Sequence, residues 1–133
     1  MRRFVDTLKG KNFFHGEKLE AEALIIAQKV LHNMGLGFIP QSYVDFLKVY
    51  NGIKFDGFYL FGATVDDDLD IIDQNEKMDK PLQTILLGYN DFDLLCYNFI
   101  LKQYQIIDRS DGQVIETFAD NECDYALSRI MTI

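Results

Sequence analysis

In the second half of the chain the residue pattern changes to a period of two, which is the period of a β-strand. Four such segments follow one another: TILLGYN, DLLCYN, QYQIID and VIETF. The Asp111-Gly112 pair between the last two favours a hairpin turn. Because βαβ crossovers are missing, we expect an antiparallel sheet with helices packed on one face or at one end of it.

The first half of the chain predicts two helices. Within GEKLEAEALIIAQKVLHNMG, one helical face carries Leu19, Ala23, Ile26, Ala27, Val30 and Met34. Gly35 suits the left-handed cap that ends this helix. The second helix begins at Pro40 and ends at Asn51-Gly52, and its apolar stripe consists of Tyr43, Phe46, Leu47 and Tyr50.

Three further segments complete the predicted order. A turn from Lys54 to Gly57 leads into the short strand FYLF, and the acidic segment TVDDDLDIIDQNEKMD is interpreted as a loop followed by a short surface helix. The final ADNECDYALSRIM predicts a helix with Asp120 as N-cap and with Cys123, Leu127 and Ile130 buried. We therefore predict an α+β fold: one domain over residues 1–133, with two N-terminal helices, an antiparallel sheet of about five to six strands and a C-terminal helix.

The charge of the chain bears on its partners. Thirteen basic residues stand against 21 acidic ones, which gives a formal net charge of −8. This charge repels nucleic-acid phosphates and attracts a basic protein, although acidity of this size also serves solubility alone. We expect a protein partner and no nucleic acid.

The sequence predicts a cytoplasmic protein. Two arginines near the N-terminus have no apolar stretch behind them, so the segment is not a secretory signal, and no apolar run is long enough to span a membrane. Cys96 and Cys123 lie far apart without the spacing of a metal site. We interpret both as reduced core thiols, with a disulfide left open, and expect no cofactor.

One acidic cluster is the main candidate for a binding site: Asp66, Asp67, Asp68, Asp70 and Asp73. A calcium loop starting at Asp66 fails, because Ile71 stands where glycine is needed and Lys77 where a bidentate glutamate is needed. A weaker, irregular divalent-cation site stays open as a minor alternative, and we predict no metal site. The cluster is either a solvated face or the acidic half of a protein interface, in which Tyr59 and Tyr89 would be the exposed aromatic anchors.

Catalytic signatures are weak. His15 and His32 suit polar or capping roles, and no nucleophile motif or phosphate-binding loop is present. Asp91 and Asp93 are the nearest candidates for acid-base work, but a solvent-facing pair beside a turn explains them better. We predict no catalytic residue.

The stretch IPQSYVDFLKVYNGIKFDGFYLFG resembles the signature of the SUKH superfamily, which includes fungal cell-wall-synthesis regulators of the Smi and Knr type and many bacterial proteins. The matching residues are Pro40, Tyr43, Phe46, Leu47, Asn51, Gly52, Leu60, Phe61 and Gly62. ILLGYNDFDLLCYN is similar to the strand pair of the family, and ETFADNECDYALSRI to its closing strand and helix.

This resemblance implies a binding module without catalysis. Bacterial SUKH proteins are commonly immunity proteins that neutralise toxins, often basic nucleases or deaminases, by direct binding in the cytoplasm. An acidic chain suits such a target. Two alternatives stay open: a regulatory scaffold for cellular proteins, and a small-molecule-binding or hydrolytic domain that uses Asp56, Asp91 or Asp93 in a cleft.

Overall fold

The computed structural model describes residues 2–64 and 66–131. Helices and strands follow in the order α1 (Arg2–Leu8), β1 (Phe14–His15), α2 (Ala21–Asn33), α3 (Gln41–Leu47), β2 (Ile53–Phe55), β3 (Phe58–Leu60), α4 (Ile71–Lys77), β4 (Thr84–Tyr89), β5 (Asp93–Asn98), β6 (Gln103–Asp108), β7 (Val114–Ala119) and α5 (Cys123–Met131). Within these residues the strands form one sheet in the order β1-β2-β3-β4-β5-β6-β7, and every neighbouring pair is antiparallel.

The α+β class and the antiparallel sheet are confirmed, but the predicted number of elements was too low. The described residues contain seven strands rather than five to six, and α1 precedes the two predicted N-terminal helices. The strands β1 and β2 have two and three residues, which is too short to show an alternating pattern. The predicted turn from Lys54 to Gly57 is shorter in the structure. Lys54 and Phe55 belong to β2, and only Asp56 and Gly57 join β2 to β3.

Helices α1, α3 and α5 cover one face of the sheet, which we call the inner face. The ring of Phe4 on α1 lies 5.7 Å from that of Phe46 on α3 and 6.5 Å from that of Phe58 on β3. Helix α5 packs on β5, β6 and β7. The backbone N–H of Phe4 donates to the carboxylate of Asp124 at 2.7 Å, which ties α1 to α5. A single aromatic-rich core thus joins both ends of the chain.

The predicted helix caps have mixed outcomes. Gly35 is left-handed with φ of +81° and follows α2 as expected, and Pro40 occupies the N-cap of α3. Asp120 as N-cap of the last helix was wrong. Helix α5 starts only at Cys123, and the carboxylate of Asp120 instead accepts a hydrogen bond from the Tyr97 hydroxyl at 2.8 Å.

Two predicted helix faces differ from the structure. Ile26 was expected in the core, but its side chain is 58% exposed, while Ala27 and Leu31 are buried. The predicted surface helix is α4, and its side chains at Ile71 and Asn75 are buried. Because α4 closes over the edge of β4, it belongs to the core.

Three side-chain amides hold the chain in place as a neighbouring strand would, by pairing with both the N–H and the C=O of one residue. Gln28 pairs with Ile39, Asn51 with Ala63, and Asn75 with Leu86. Each pair joins elements that are separate in the chain. These amide clamps therefore close gaps that the regular hydrogen bonds of helices and strands leave open.

Asn51 explains why Asn-Gly follows α3. Its amide nitrogen donates to the carbonyl oxygens of Glu17 and Ala63, both at 2.9 Å, and its amide oxygen accepts from the N–H of Ala63. A Cβ added at Gly62 would lie 2.3 Å from that amide oxygen. The junction of three segments thus needs an amide at position 51 and no side chain at position 62.

Candidate functional site

A row of side chains crosses all seven strands on the outer face, the sheet face opposite α1, α3 and α5. Ile53 and Leu60 point to the inner face and are fully buried, so their neighbours Lys54 and Tyr59 point outward. The strand register pairs the members of this row in sequence: Phe14, Lys54, Tyr59, Tyr89, Leu94, Ile107 and Val114.

Tyr59 and Tyr89 stack at the centre of the row. Their ring centroids are 4.8 Å apart with an interplanar angle of 14°. The guanidinium of Arg109 lies 4.9 Å from the ring centroid of Tyr89, and the ammonium of Lys54 lies 6.0 Å from that of Tyr59. A cation therefore covers each side of the aromatic pair.

The two tyrosines were predicted as exposed anchors, but both are half-buried by this stacking. Burial also raises the pKa of the Tyr89 hydroxyl above its ordinary value. The stack still offers aromatic surface, with one cation beside each ring. The tyrosine pair is therefore a flat, stacked aromatic surface rather than two projecting side chains.

The predicted acidic cluster divides into two parts. Asp66 and Asp67 are exposed, and Asp68 pairs with Lys54 at 2.5 Å. This hydrogen bond raises the pKa of the Lys54 ammonium, and the pair connects the acidic loop to the aromatic row. Asp66 and Asp68, together with Phe14 and Lys54, line an open groove of about 350 Å³.

The other part of the cluster belongs to α4. The carboxylate of Asp70 is the N-cap and accepts the backbone N–H of Asp73 at 3.1 Å. Asp73 lies in the first turn, where a negative charge is favoured by the helix dipole. Burial raises the pKa of Asp70, against the opposing effect of its hydrogen bond from Asp73. These two carboxylates therefore have local structural roles, while Asp66 and Asp68 line the groove and Asp67 is exposed.

Phe92 is the projecting aromatic residue that the sequence reasoning missed. Its side chain is 63% exposed. The side-chain oxygen of Asn90 accepts the N–H groups of Phe92 and Asp93, and the amide nitrogen of Asn90 donates to the Ile130 carbonyl. The backbone of this turn is thus held at several points. An asparagine two residues before an aromatic residue in a turn is the signal that could have identified it.

Arg109 joins Phe92 to the tyrosine stack. Its backbone N–H donates to the carbonyl of Phe92 at 3.0 Å, and its guanidinium donates to the carbonyl of Asn90 at 2.8 Å while covering Tyr89. Arg109 therefore links the backbone of the Phe92 turn to the tyrosine stack. We call Phe14, Tyr59, Tyr89 and Phe92 with the two cations Lys54 and Arg109 the outer-face surface.

Carboxylates surround the Phe92 end of this surface. Asp91 is exposed and its oxygen lies 3.4 Å from the position a Cβ would take at Gly57, beside the Asp56 turn. On the other side, hydrogen bonds from Ser110 lower the pKa of Asp108, and Asp111 is exposed. The rim is acidic on both sides of Phe92.

The weak catalytic candidates separate in the structure. Asp93 was expected to face solvent beside Asp91, but it is buried and pairs with Arg129 at 3.4 Å, because β5 turns it inward beneath α5. His32 is exposed and stacks on Phe38, with centroids 4.7 Å apart, and His15 is exposed.

Cys96 and Cys123 are buried free thiols, as predicted, and burial raises the pKa of each to about 12. In residues 2–64 and 66–131, no three histidine, cysteine or acidic side chains are grouped so as to hold a metal ion.

The chain matches no model of a known protein family, and no curated protein matches it. No helix within the described part of the chain has the length and apolar character needed to cross a membrane.

Proposed function

We propose that this chain is a non-catalytic protein-binding module of SUKH type, which acts in the cytoplasm as an immunity protein that neutralises a cognate toxin by direct binding. The observation that carries the proposal is the outer-face surface. It combines the exposed Phe92, whose backbone is bonded to Arg109, with the stacked tyrosine pair that Arg109 covers and with carboxylates on both sides of Phe92, in a chain of net charge −8.

This surface has the composition of a protein interface. Binding energy concentrates in aromatic and arginine residues that become desolvated, and the charges around them mainly set the encounter rate and the choice of partner. Because hydrogen bonds already hold the turn of Phe92, binding would lose little conformational entropy there. The partner that fits is a basic protein with an apolar recess for Phe92, and a nuclease or deaminase toxin has such a charge.

The resemblance to SUKH proteins supports the fold of the module rather than its binding surface. Of its signature residues, Tyr43, Phe46, Leu47, Asn51 and Phe61 are buried, and none belongs to the outer-face surface. The Tyr43 hydroxyl donates to the carbonyl of Phe61, and its pKa is raised by burial. We therefore assign partner recognition to positions outside the signature.

The test is a growth-rescue assay. The toxin domain encoded immediately upstream in the source genome is expressed with and without this protein. We expect rescue by the wild type, and loss of rescue by Phe92→Ala and by the triple reversal of Asp66, Asp67 and Asp68 to lysine.

The matched control reverses three exposed carboxylates elsewhere, Glu22, Asp45 and Asp79, to lysine. This triple variant changes the net charge equally and should still rescue. Equal loss in both triple variants would mean that only net charge matters and would remove the outer-face surface from the proposal. Toxicity without rescue by the wild type would overturn the immunity role and favour the regulatory scaffold.

A further inference from the structure

A cleft lies away from Phe92. Helix α2 forms one side of it, and the residues before and after Asp70, the N-cap of α4, form the other. Its volume is about 330 Å³, within the range of sites that hold small ligands or a single large side chain. Ala23 and Ile26 of α2 and Ile72 of α4 form its apolar wall, while Glu17, Glu20 and Asp70 contribute carboxylates.

Ile26 has an exposure that the fold does not explain. It occupies the core stripe of α2 by sequence, and Ala27 beside it is buried, yet Ile26 is 58% exposed at this cleft. Exposed isoleucine is unremarkable on a convex surface, but here it lines a concave one next to Ala23 and Ile72. A ligand with an aliphatic part would cover that wall.

The polar groups of the cleft are mainly acceptors. Three acidic residues and one basic residue, Lys18, are the charged residues that line it. Asn51 also lines the cleft, but both hydrogen bonds of its amide nitrogen go to backbone carbonyls. An anion would therefore meet repulsion with few free donors, whereas a cation would meet acceptors.

We propose that this cleft binds a cation carried on an aliphatic stem, namely the guanidinium of arginine or a related alkylguanidine. The stem packs against Ala23, Ile26 and Ile72, and the cationic head reaches the carboxylates at the Asp70 end. Asp70 is well suited to this role because its N-cap bond to Asp73 holds the carboxylate in position. The site stands independently of toxin neutralisation.

The test uses the full chain labelled with ¹⁵N and titrated with Nα-acetylarginine methylamide, followed by amide chemical shifts. We expect saturable shifts at Ala23, Ile26, Thr64 and Ile72. The neutral isostere Nα-acetylcitrulline methylamide, which has the same stem and no charge, should cause none. A second titration with agmatine tests whether the ligand is a free small molecule. An affinity for agmatine above that for the acetylarginine probe indicates a free alkylguanidine, and an equal or lower affinity indicates an arginine side chain of a protein.

Two matched pairs of variants locate the site. Ile26→Lys places an ammonium over the apolar wall and should abolish the shifts, whereas Ile25→Lys, at a position of similar exposure (54%) that does not line the cleft, should retain them. Asp70→Asn keeps an N-capping side chain and should weaken binding about tenfold, unlike Asp73→Asn. Absence of shifts with both cations, shifts confined to Asp66–Asp68, or unchanged binding by Ile26→Lys would each overturn the proposal.

Discussion

The side-chain amide of Asn75 pairs with the N–H of Leu86 at 2.8 Å and with its C=O at 2.9 Å. Strand β3 pairs with β4 only at Tyr89 and Gly88, so it ends before it reaches Leu86. Helix α4 supplies the missing partner. The edge of β4 is thereby satisfied within the core, where an unpaired peptide group would be costly.

Removing this amide should destabilise the fold. In Asn75→Ala, the N–H and C=O of Leu86 lose their partner in a buried environment, and we expect the free energy of unfolding to fall by about 2–4 kcal/mol. Urea denaturation measures it. The exposed Asn12→Ala is the control, and a loss at Asn75 no larger than at Asn12 would contradict the role of the clamp.

Two glycine substitutions separate steric fit from backbone conformation. Gly62→Ala places a Cβ against the Asn51 amide, with overpacking expected to cost about 3 kcal/mol or more. Gly35→Ala meets no atom within 4 Å and carries only left-handed strain, about 1–2 kcal/mol. Thermal and urea unfolding of both variants would show the order, and the reverse order would count against the three-segment junction.

Both thiols should be unreactive in the folded protein. Burial raises the pKa of Cys96 and Cys123 to about 12, so the reactive thiolate is scarce at pH 8 and the sulfur atoms are inaccessible. We expect almost no reaction with Ellman's reagent until guanidinium chloride unfolds the chain, and then two thiols per chain. Rapid modification of either thiol in the native protein would disprove its burial.

Asp70 should make stability depend on pH in a defined direction. Its pKa in the folded state is raised by burial, so the folded state binds the proton more tightly than the unfolded state does. The stabilisation that protonation gives is complete below the ordinary aspartate pKa and is lost as the pH rises through the raised value. Asp70→Asn keeps an N-capping side chain but does not titrate, so it does not lose stability as the pH rises. The free energy of unfolding of the variant relative to wild type should therefore increase with pH between the ordinary and the raised aspartate pKa. Unfolding curves at several pH values measure the difference, and a relative decrease would contradict it.

Phe92→Ala should separate binding from folding. Because the side chain is 63% exposed, its loss should change the free energy of unfolding by less than about 1 kcal/mol. Loss of a buried aromatic anchor at an interface typically costs about 2 kcal/mol or more of binding energy. Calorimetric titration with the toxin domain of the proposed function and urea denaturation of the free protein measure the two quantities, with Leu82→Ala, which is 92% exposed, as the control.

The sequence predicts strands β4 to β7 much better than strand β1, at the first edge of the sheet. Strands β4 to β7 each have six residues, which is long enough for a strand to be recognised from the sequence. Strand β1 has two exposed residues, and only its pairing with β2 makes it a strand. Such short elements depend on tertiary contacts that no local pattern encodes.

The sequence predicted several residues of the candidate site but not how they are arranged. Tyr59, Tyr89 and the Asp66–Asp68 loop do lie close together, through the pair of Lys54 with Asp68. The Asn90 turn could have indicated the exposed Phe92, but the contact of Arg109 with Tyr89 could not be predicted, since it follows from how the turn before β5 meets the turn after β6.

The amide clamps bind backbone atoms alone. Gln28, Asn51 and Asn75 hold Ile39, Ala63 and Leu86 through peptide N–H and C=O groups, which every residue except proline possesses. The side chain of Ala63, the half-exposed clamped position, can therefore be exchanged without breaking the hydrogen bonds to Asn51. A scaffold joined in this way can acquire new surface chemistry by substitution while its architecture stays the same.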